Sequence, residues 1–262
     1  MTSTQKVVLC TGANQGLGYA IVQVAAQRNP RALYILACRN VAAGHEAAQQ
    51  LKDEGVTAMT EVIELDVTND EHIAAAAKHV ESKYGKLDVL INNAGVLIRT
   101  QDADLPTLRK AYNDMLNINL TSVAVITTAL LPLLQKAADP KVINITSGLG
   151  SIVNTLTKKM GRYPPYGASK VGLNGLTAHM QTTENDRVTA ELAEGKRTDA
   201  KFGKVKYYVV APGVLRTAFT RFADIGKDPK LGAEAVVRLM EGEYPGGTQW
   251  EWEGGEMREI PW

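Results

Sequence analysis

Two hydrophobic periods alternate along residues 1–150, and that alternation limits the fold more than any other feature of the chain. Short β-branched or leucine-rich runs stand at 7–10, 33–37, 60–65, 87–91 and 142–145. Between them, residues 17–28, 42–54, 70–84 and 105–134 carry apolar side chains at helical spacing. Strands that are apolar on both faces and alternate with helices require a parallel sheet covered on both sides, with right-handed crossovers. Helix punctuation agrees: Thr68, Asn69, Asp70 and Glu71 supply caps and acids at one helix start, and Gly85 stands where a left-handed C-terminal residue is needed. After Ile145 come a Gly- and Pro-containing polar loop, a helix from about Tyr166, a strand at 205–210 and a final strand near 248–252. The expected class is therefore α/β, a doubly wound parallel sheet of about seven strands with helices on both faces. No repeat, linker or composition break interrupts it, so a single domain over 1–262 is expected.

Composition narrows the function. A net charge of +1 gives no electrostatic footprint for nucleic acid or an anionic membrane. The 2 cysteines, Cys10 and Cys38, end apolar runs and read as small buried hydrophobes rather than a disulfide pair or reactive thiols. No His/Cys/Asp cluster has metal-ligand spacing, so no metal is expected. No signal-like segment opens the chain, and no uninterrupted apolar run reaches the roughly 18 residues of a membrane span. The expectation is a soluble, cytoplasmic protein acting on a small molecule, with its oligomeric state open. Residues 184–204 are highly charged and read as a helix extension followed by an exposed excursion.

The first strand runs into Thr11-Gly12-Ala13-Asn14-Gln15-Gly16-Leu17-Gly18 and then a helix. A chain that turns this sharply and lets backbone approach a pyrophosphate needs residues without a Cβ, and the helix N-terminus then faces the anion. Glycines are common in such turns, but their place between the first strand and the first helix predicts a dinucleotide-binding turn of the Rossmann kind. It assigns cofactor contacts to Gly12, Asn14, Gln15, Gly16, Leu17 and Gly18. At the end of the second strand an acid would bind the ribose 2′-hydroxyl of NAD, whereas Arg39 fits a 2′-phosphate and hence NADPH/NADP+. A plain surface arginine is the alternative, and Asn14 and Asn40 are further phosphate donors to consider.

These residues resemble the short-chain dehydrogenase/reductase family over nearly the whole chain. The Gly12-x-x-x-Gly16-x-Gly18 spacing is that family's form of the turn, Asp66-Val67 matches its adenine-contacting pair, and Asn92-Asn93-Ala94-Gly95 matches its signature after the fourth strand. Tyr166-Gly167-Ala168-Ser169-Lys170 matches Tyr-x-x-x-Lys, Ser147 lies upstream, and Pro212-Gly213-Val214 follows the sixth strand with Thr217 at the carboxamide-contacting position. The resemblance implies a cofactor half at about 1–150 and a catalytic and substrate half at about 140–262. It implies contacts from Asn93, Ala94, Gly95, Tyr166, Lys170, Pro212, Gly213, Val214 and Thr217 to the cofactor. Asn93 has a mixed role, ribose contact or sheet support.

The implied reaction is NADPH-dependent reduction of a ketone, aldehyde or quinone. Tyr166 and Lys170 share a helix face, and an adjacent ammonium would pull a phenol of pKa about 10 toward neutrality. Ser147 would hold the substrate oxygen, and Asn119, with Asn117 as runner-up, would join a water-mediated proton relay. Alcohol oxidation with NAD(P), or a non-catalytic NADP sensor, are the alternatives. The interval from Ser147 to Tyr166 is longer than the family's common spacing, which should enlarge the loop at 154–165 beside the pocket. That insertion, Thr11-Gly12-Ala13-Asn14, Cys38-Arg39 and a C-terminus closing on Trp262 resemble the carbonyl-reductase-like subgroup. Trp250, Trp252 and Trp262 read as edge-strand packing in preference to a substrate wall. Phe219 and Phe222 are candidate pocket residues, and His179 reads as structural or surface.

Overall fold

The computed structural model of the protein describes residues 5–101, 103–158 and 163–262. Its eight strands are β1 (Val7–Thr11), β2 (Leu33–Cys38), β3 (Met59–Glu64), β4 (Val89–Asn92), β5 (Lys141–Ile145), β6 (Lys206–Val210), β7 (Thr248–Glu253) and β8 (Glu256–Glu259). They form one sheet in the order β3-β2-β1-β4-β5-β6-β7-β8. The first seven are parallel and β8 pairs antiparallel with β7. The chain thus starts in the middle and winds outward in both directions, so the strand order reverses between β1 and β4, where a crevice opens at the strands' carboxyl ends.

Alternation along each strand divides the core. Val8 and Cys10 face a cluster with Ile21 of α1 (Gly16–Arg28), Leu51 of α2 (Val41–Asp53) and Val236 of α8 (Pro229–Glu241). Val7 and Leu9 face the other cluster, with Val80 of α3 (Asp70–Tyr84) and Leu130 of α5 (Ser122–Leu134). Two apolar layers on a fully buried central strand explain why β1 and β2 read as continuous hydrophobic runs.

The sheet has one strand more than expected. The Gly254-Gly255 turn, at φ 63° and 85°, returns the chain as β8, because two successive left-handed residues match the twist of a two-residue hairpin. Trp250 and Trp252 pack on this edge, against Tyr244 at 4.9 Å between ring centroids and beneath the Arg238 guanidinium at 4.9 Å. The expected helix over 105–134 is α4 (Leu105–Leu116) and α5 joined by one π-helical turn, Asn117–Thr121. Leu105–Leu134 contains an 18-residue window apolar enough, by length and composition, to cross a membrane, although no uninterrupted apolar run signals it. Here its second half packs on α3. The charged stretch continues α7 (Pro164–Ala193) beyond the sheet and then folds back on it. Arg187 bridges Glu184 and Glu191 at 2.6 and 2.7 Å and also bonds the Gly203 carbonyl, while buried Glu184 accepts from the Val205 amide.

Candidate active site

A cleft of about 1200 Å³ opens at the carboxyl ends of the strands. At one end lies the turn after β1, where Gly12 and Gly16 are left-handed at φ 65° and 57°. A Cβ on Gly12 would sit 3.2 Å from Ala94 Cα, so this wall is backbone by necessity. The helices α2, α3 and α4 are each capped by a side chain, from Asn40, Asn69 and Asp104. By contrast α1, which opens onto the cleft, has no side-chain cap and no acid in its first turn. Its free N–H groups and dipole suit an anion. Asn14, Gln15, Leu17, Asp66 and Val67 line this end with Arg39. The Arg39 charge, with bonds from the Thr68 amide and hydroxyl, holds the Asp66 carboxyl below its ordinary range, the Thr68 bonds contributing most. A backbone cradle, bare helix amides and an arginine fit the pyrophosphate and phosphate groups of a dinucleotide.

Two expected contacts fall elsewhere. Gly18 does not line the cleft; a Cβ there would lie 2.4 Å from the Gly12 carbonyl and 2.5 Å from Asn93 Nδ2, so this glycine permits packing beneath the turn. Asn40 is also absent from the lining, its Oδ1 accepting from the Ala43 amide as the α2 cap. Asn93 lines the cleft, but its Nδ2 donates to the Thr11 and Gly12 carbonyls at 2.8 and 3.1 Å, so it splints the turn. Thr11 Oγ1 accepts from the Asn93 and Ala94 amides, 3.0 Å each, a role that sequence reasoning missed.

At the other end stand Ser147, just beyond β5, and Tyr166 and Lys170 on α7. Gly95, Ala94, Pro212, Gly213, Val214 and Thr217 line the span between the two ends. Lys170 Nζ donates to the Ile145 carbonyl at 2.8 Å and lies 5.7 Å from the Tyr166 ring centroid. Asn119, in the π-helical turn, is fully buried. Its Oδ1 accepts from the Val96 amide at 2.8 Å, and its Nδ2 donates to the Val96 carbonyl and to Ser169 Oγ at 2.9 and 3.0 Å. Asn117 is exposed, so the extra residue of the π turn is what rotates Asn119 inward. Asn119 does not line the cleft itself.

The electrostatics correct one expectation. Burial pushes the Tyr166 phenol up, opposed by the hydrogen bond with Ser147, and burial lowers Lys170 to about 7. The two buried groups therefore favour their neutral forms, and desolvation outweighs the depression of the phenol that an adjacent ammonium would cause.

One buried face of α7 carries Tyr166, Lys170, Asn174, Thr177 and Gln181. Asn174 accepts from Thr146 Oγ1 at 2.7 Å and donates to the Gly150 carbonyl and Gln249 Oε1, 2.9 Å each. Thr177 accepts from Asn144 at 2.9 Å, and Gln181 accepts from the Tyr207 amide at 2.8 Å. Polar side chains recurring every three or four residues on an otherwise buried helix face were the available signal for this zipper. In the long interval before Tyr166 lies the short α6 (Ile152–Thr157), and Lys158 and Tyr163 line the cleft; residues 159–162 lie outside the described ones. Phe219 and Phe222 line it too, whereas His179, Trp250, Trp252 and Trp262 do not.

The model of the short-chain dehydrogenase family matches residues 6–227. A short-chain dehydrogenase/reductase of Aspergillus fumigatus is 52% identical over 99% of this chain and 98% of its own. A short-chain dehydrogenase of Penicillium roqueforti is 35% identical over 90% and 88%. Among solved structures, the NADPH-bound carbonyl reductase from chicken fatty liver superposes with a TM-score of 0.79 at 23% identity, covering 98% of this chain and 99% of that one. Salutaridine reductase from Papaver somniferum gives 0.73 at 24%, over 94% and 99%. With the fold, the glycine turn and the Tyr-x-x-x-Lys helix all in place, the chain belongs to the short-chain dehydrogenase family of oxidoreductases.

Proposed function

We propose that the protein reduces a ketone, aldehyde or quinone to the alcohol with NADPH. One observation carries this reading. Ser147 and the Tyr166–Lys170 pair, from separate elements, meet at one end of a cleft whose other end offers the uncapped α1 and Arg39. Gly12, Gly16 and the first turn of α1 would hold the pyrophosphate, Arg39 the 2′-phosphate, and Thr217 the carboxamide. When bound there, NADPH would supply the hydride, a proton with two electrons, that the carbonyl carbon takes up.

The chain's own residues manage the oxygen. Ser147 Oγ accepts from the Leu149 amide at 3.2 Å, and its O–H, which meets the Tyr166 oxygen here, would turn to a substrate carbonyl placed between the two. The buried Tyr166 phenol stays protonated and gives its proton to that oxygen as negative charge develops. Lys170, anchored on Ile145, places its amine beside the ring and stabilises the phenolate left behind, which is reprotonated from water. Asn119 fixes the backbone at Val96, and the relay assigned to it would run along this anchored stretch. Burial that keeps this phenol protonated supplies the acid that carbonyl reduction needs at the outset.

The test is NADPH oxidation followed optically against a panel of ketones, aldehydes, quinones and polycyclic phenol tautomers. Turnover is expected with at least one class, lost in Tyr166→Phe while NADPH binding persists. Retained turnover in that variant would sink the mechanism.

A further inference from the structure

Tyr166 lies among apolar side chains. Val96, Leu97 and Leu149 pack against the cluster that holds it, and the Phe219 ring stands 5.9 Å from its own, tilted by 58°. The segment after Gly213 then presents Phe222 and Ile225 to the same cleft, 64% and 84% exposed. Apolar surface left in water is unfavourable, and a patch continuous with a cleft marks the place of a ligand.

Phe222 is also held in a conformation it would not choose. Arg221 and Phe222 are the two non-glycine residues with positive φ among those described, at 56° and 53°. A left-handed conformation is unfavourable for any residue with a Cβ. The turn is fixed by the Phe222 amide donating to the Thr217 carbonyl at 2.8 Å and the Arg221 amide to that of Ala218 at 3.0 Å. Strained residues of this kind cluster at ligand clamps, which points to a ligand contact for the Phe222 ring at the mouth of the cleft.

We infer that the substrate is an extended aryl or multi-ring carbonyl. Its carbonyl sits at Tyr166 and Ser147, and its remote rings cover Phe219, Phe222 and Ile225. This names the substrate class of the site proposed above and rests on that reading. A small aldehyde reaches Tyr166 but leaves Phe222 and Ile225 wet. Arg99 and Lys158 line the cleft and are exposed, so a cationic group on the substrate is opposed and an anionic one tolerated.

The experiment measures kcat/KM at saturating NADPH for propanal, acetophenone, 1-tetralone and 9-fluorenone. A rise of at least tenfold from propanal to the fused-ring ketones is expected. Phe222→Ala should lower the fluorenone-to-propanal ratio at least fivefold, and Phe222→Trp should keep it. Propanal reduced as well as the fused-ring ketones, or a ratio indifferent to Phe222→Ala, overturns the substrate class and leaves the reductase reading standing. No turnover of any carbonyl by protein that binds NADPH overturns the reductase reading itself.

Discussion

Replacing Asn174 by leucine, nearly isosteric but without hydrogen-bonding groups, isolates what the amide does. The Thr146 hydroxyl, the Gly150 carbonyl and Gln249 Oε1 all lose a partner within a site closed to water. Each stranded buried group costs about 1–3 kcal/mol. The Thr146 hydroxyl can rotate toward another acceptor, so the lower part of the sum applies, about 3–5 kcal/mol. Thr146 and Gly150 bracket Ser147, so the same change loosens the loop that holds the substrate oxygen. Misplacement of a reacting group by an ångström lowers turnover about 100-fold. Asn174→Ala should cost less than Asn174→Leu, because the space it leaves admits a bridging water. Gln249→Leu is the contrast: it strands one Asn174 N–H but also removes Gln249 Nε2, which has no partner among the described residues, so the two effects offset and the net cost should be under about 1 kcal/mol. Urea unfolding gives the stabilities, and steady-state kinetics at saturating NADPH give kcat against KM. A leucine variant with unchanged stability, or with unchanged kcat, would refute the argument that this amide fixes the loop.

Three further outcomes follow from the geometry. Lys170→Met should unfold at higher urea than the parent, because the parent buries an amine whose folded pKa, about 7, lies below its ordinary value of 10.5. The unfolded chain binds the extra proton between those values, so the parent gains stability there as pH rises, by about 1.4 kcal/mol per unit. The advantage of the methionine variant is then greatest at and below pH 7; an advantage that grows with pH would contradict the burial argument. Arg39→Asp should raise the KM for NADPH about 10–100-fold, the worth of a charge-assisted phosphate contact, and improve NADH use; unchanged cofactor preference counts against the 2′-phosphate assignment. Gly18→Ala should destabilise the protein and weaken NADPH binding, since its Cβ meets backbone at 2.4 Å, whereas Gly85→Ala, with open space around it, should cost only about 1 kcal/mol for its positive φ. Equal effects of the two alanines on cofactor binding would rule out the packing role.

Much of the site was legible because its residues occupy fixed offsets from strand ends. Gly12 and Gly16, Asp66, Asn93, Ser147 and Pro212 each follow a strand, and a parallel sheet brings all those ends to one crevice. What escaped is what depends on the third dimension. Whether Asn117 or Asn119 turns inward depends on a π-helical turn that no local preference announces. Gly18 looked like a phosphate contact because the groups that crowd it, the Gly12 carbonyl and the side-chain amide of Asn93 from far along the chain, meet only in the folded turn. The charge balance of Tyr166 and Lys170 was read from proximity alone, while burial, a property of the assembled core, decides it. Strand β8 was available in the Gly254-Gly255 pair but is too short and polar to show a hydrophobic period.

That hairpin has a consequence at the scale of many molecules. A parallel sheet ends in two rows of unpaired amides and carbonyls, which are templates for another chain. One end here is β3, which closes on the exposed Glu64; the other is the short β8, with Glu256, Arg258 and Glu259. Joining either border to a copy of itself brings like charges face to face. Crowded molecules of this protein are thus guarded against stacking into fibrils through the sheet, even while the apolar mouth of the cleft stays open.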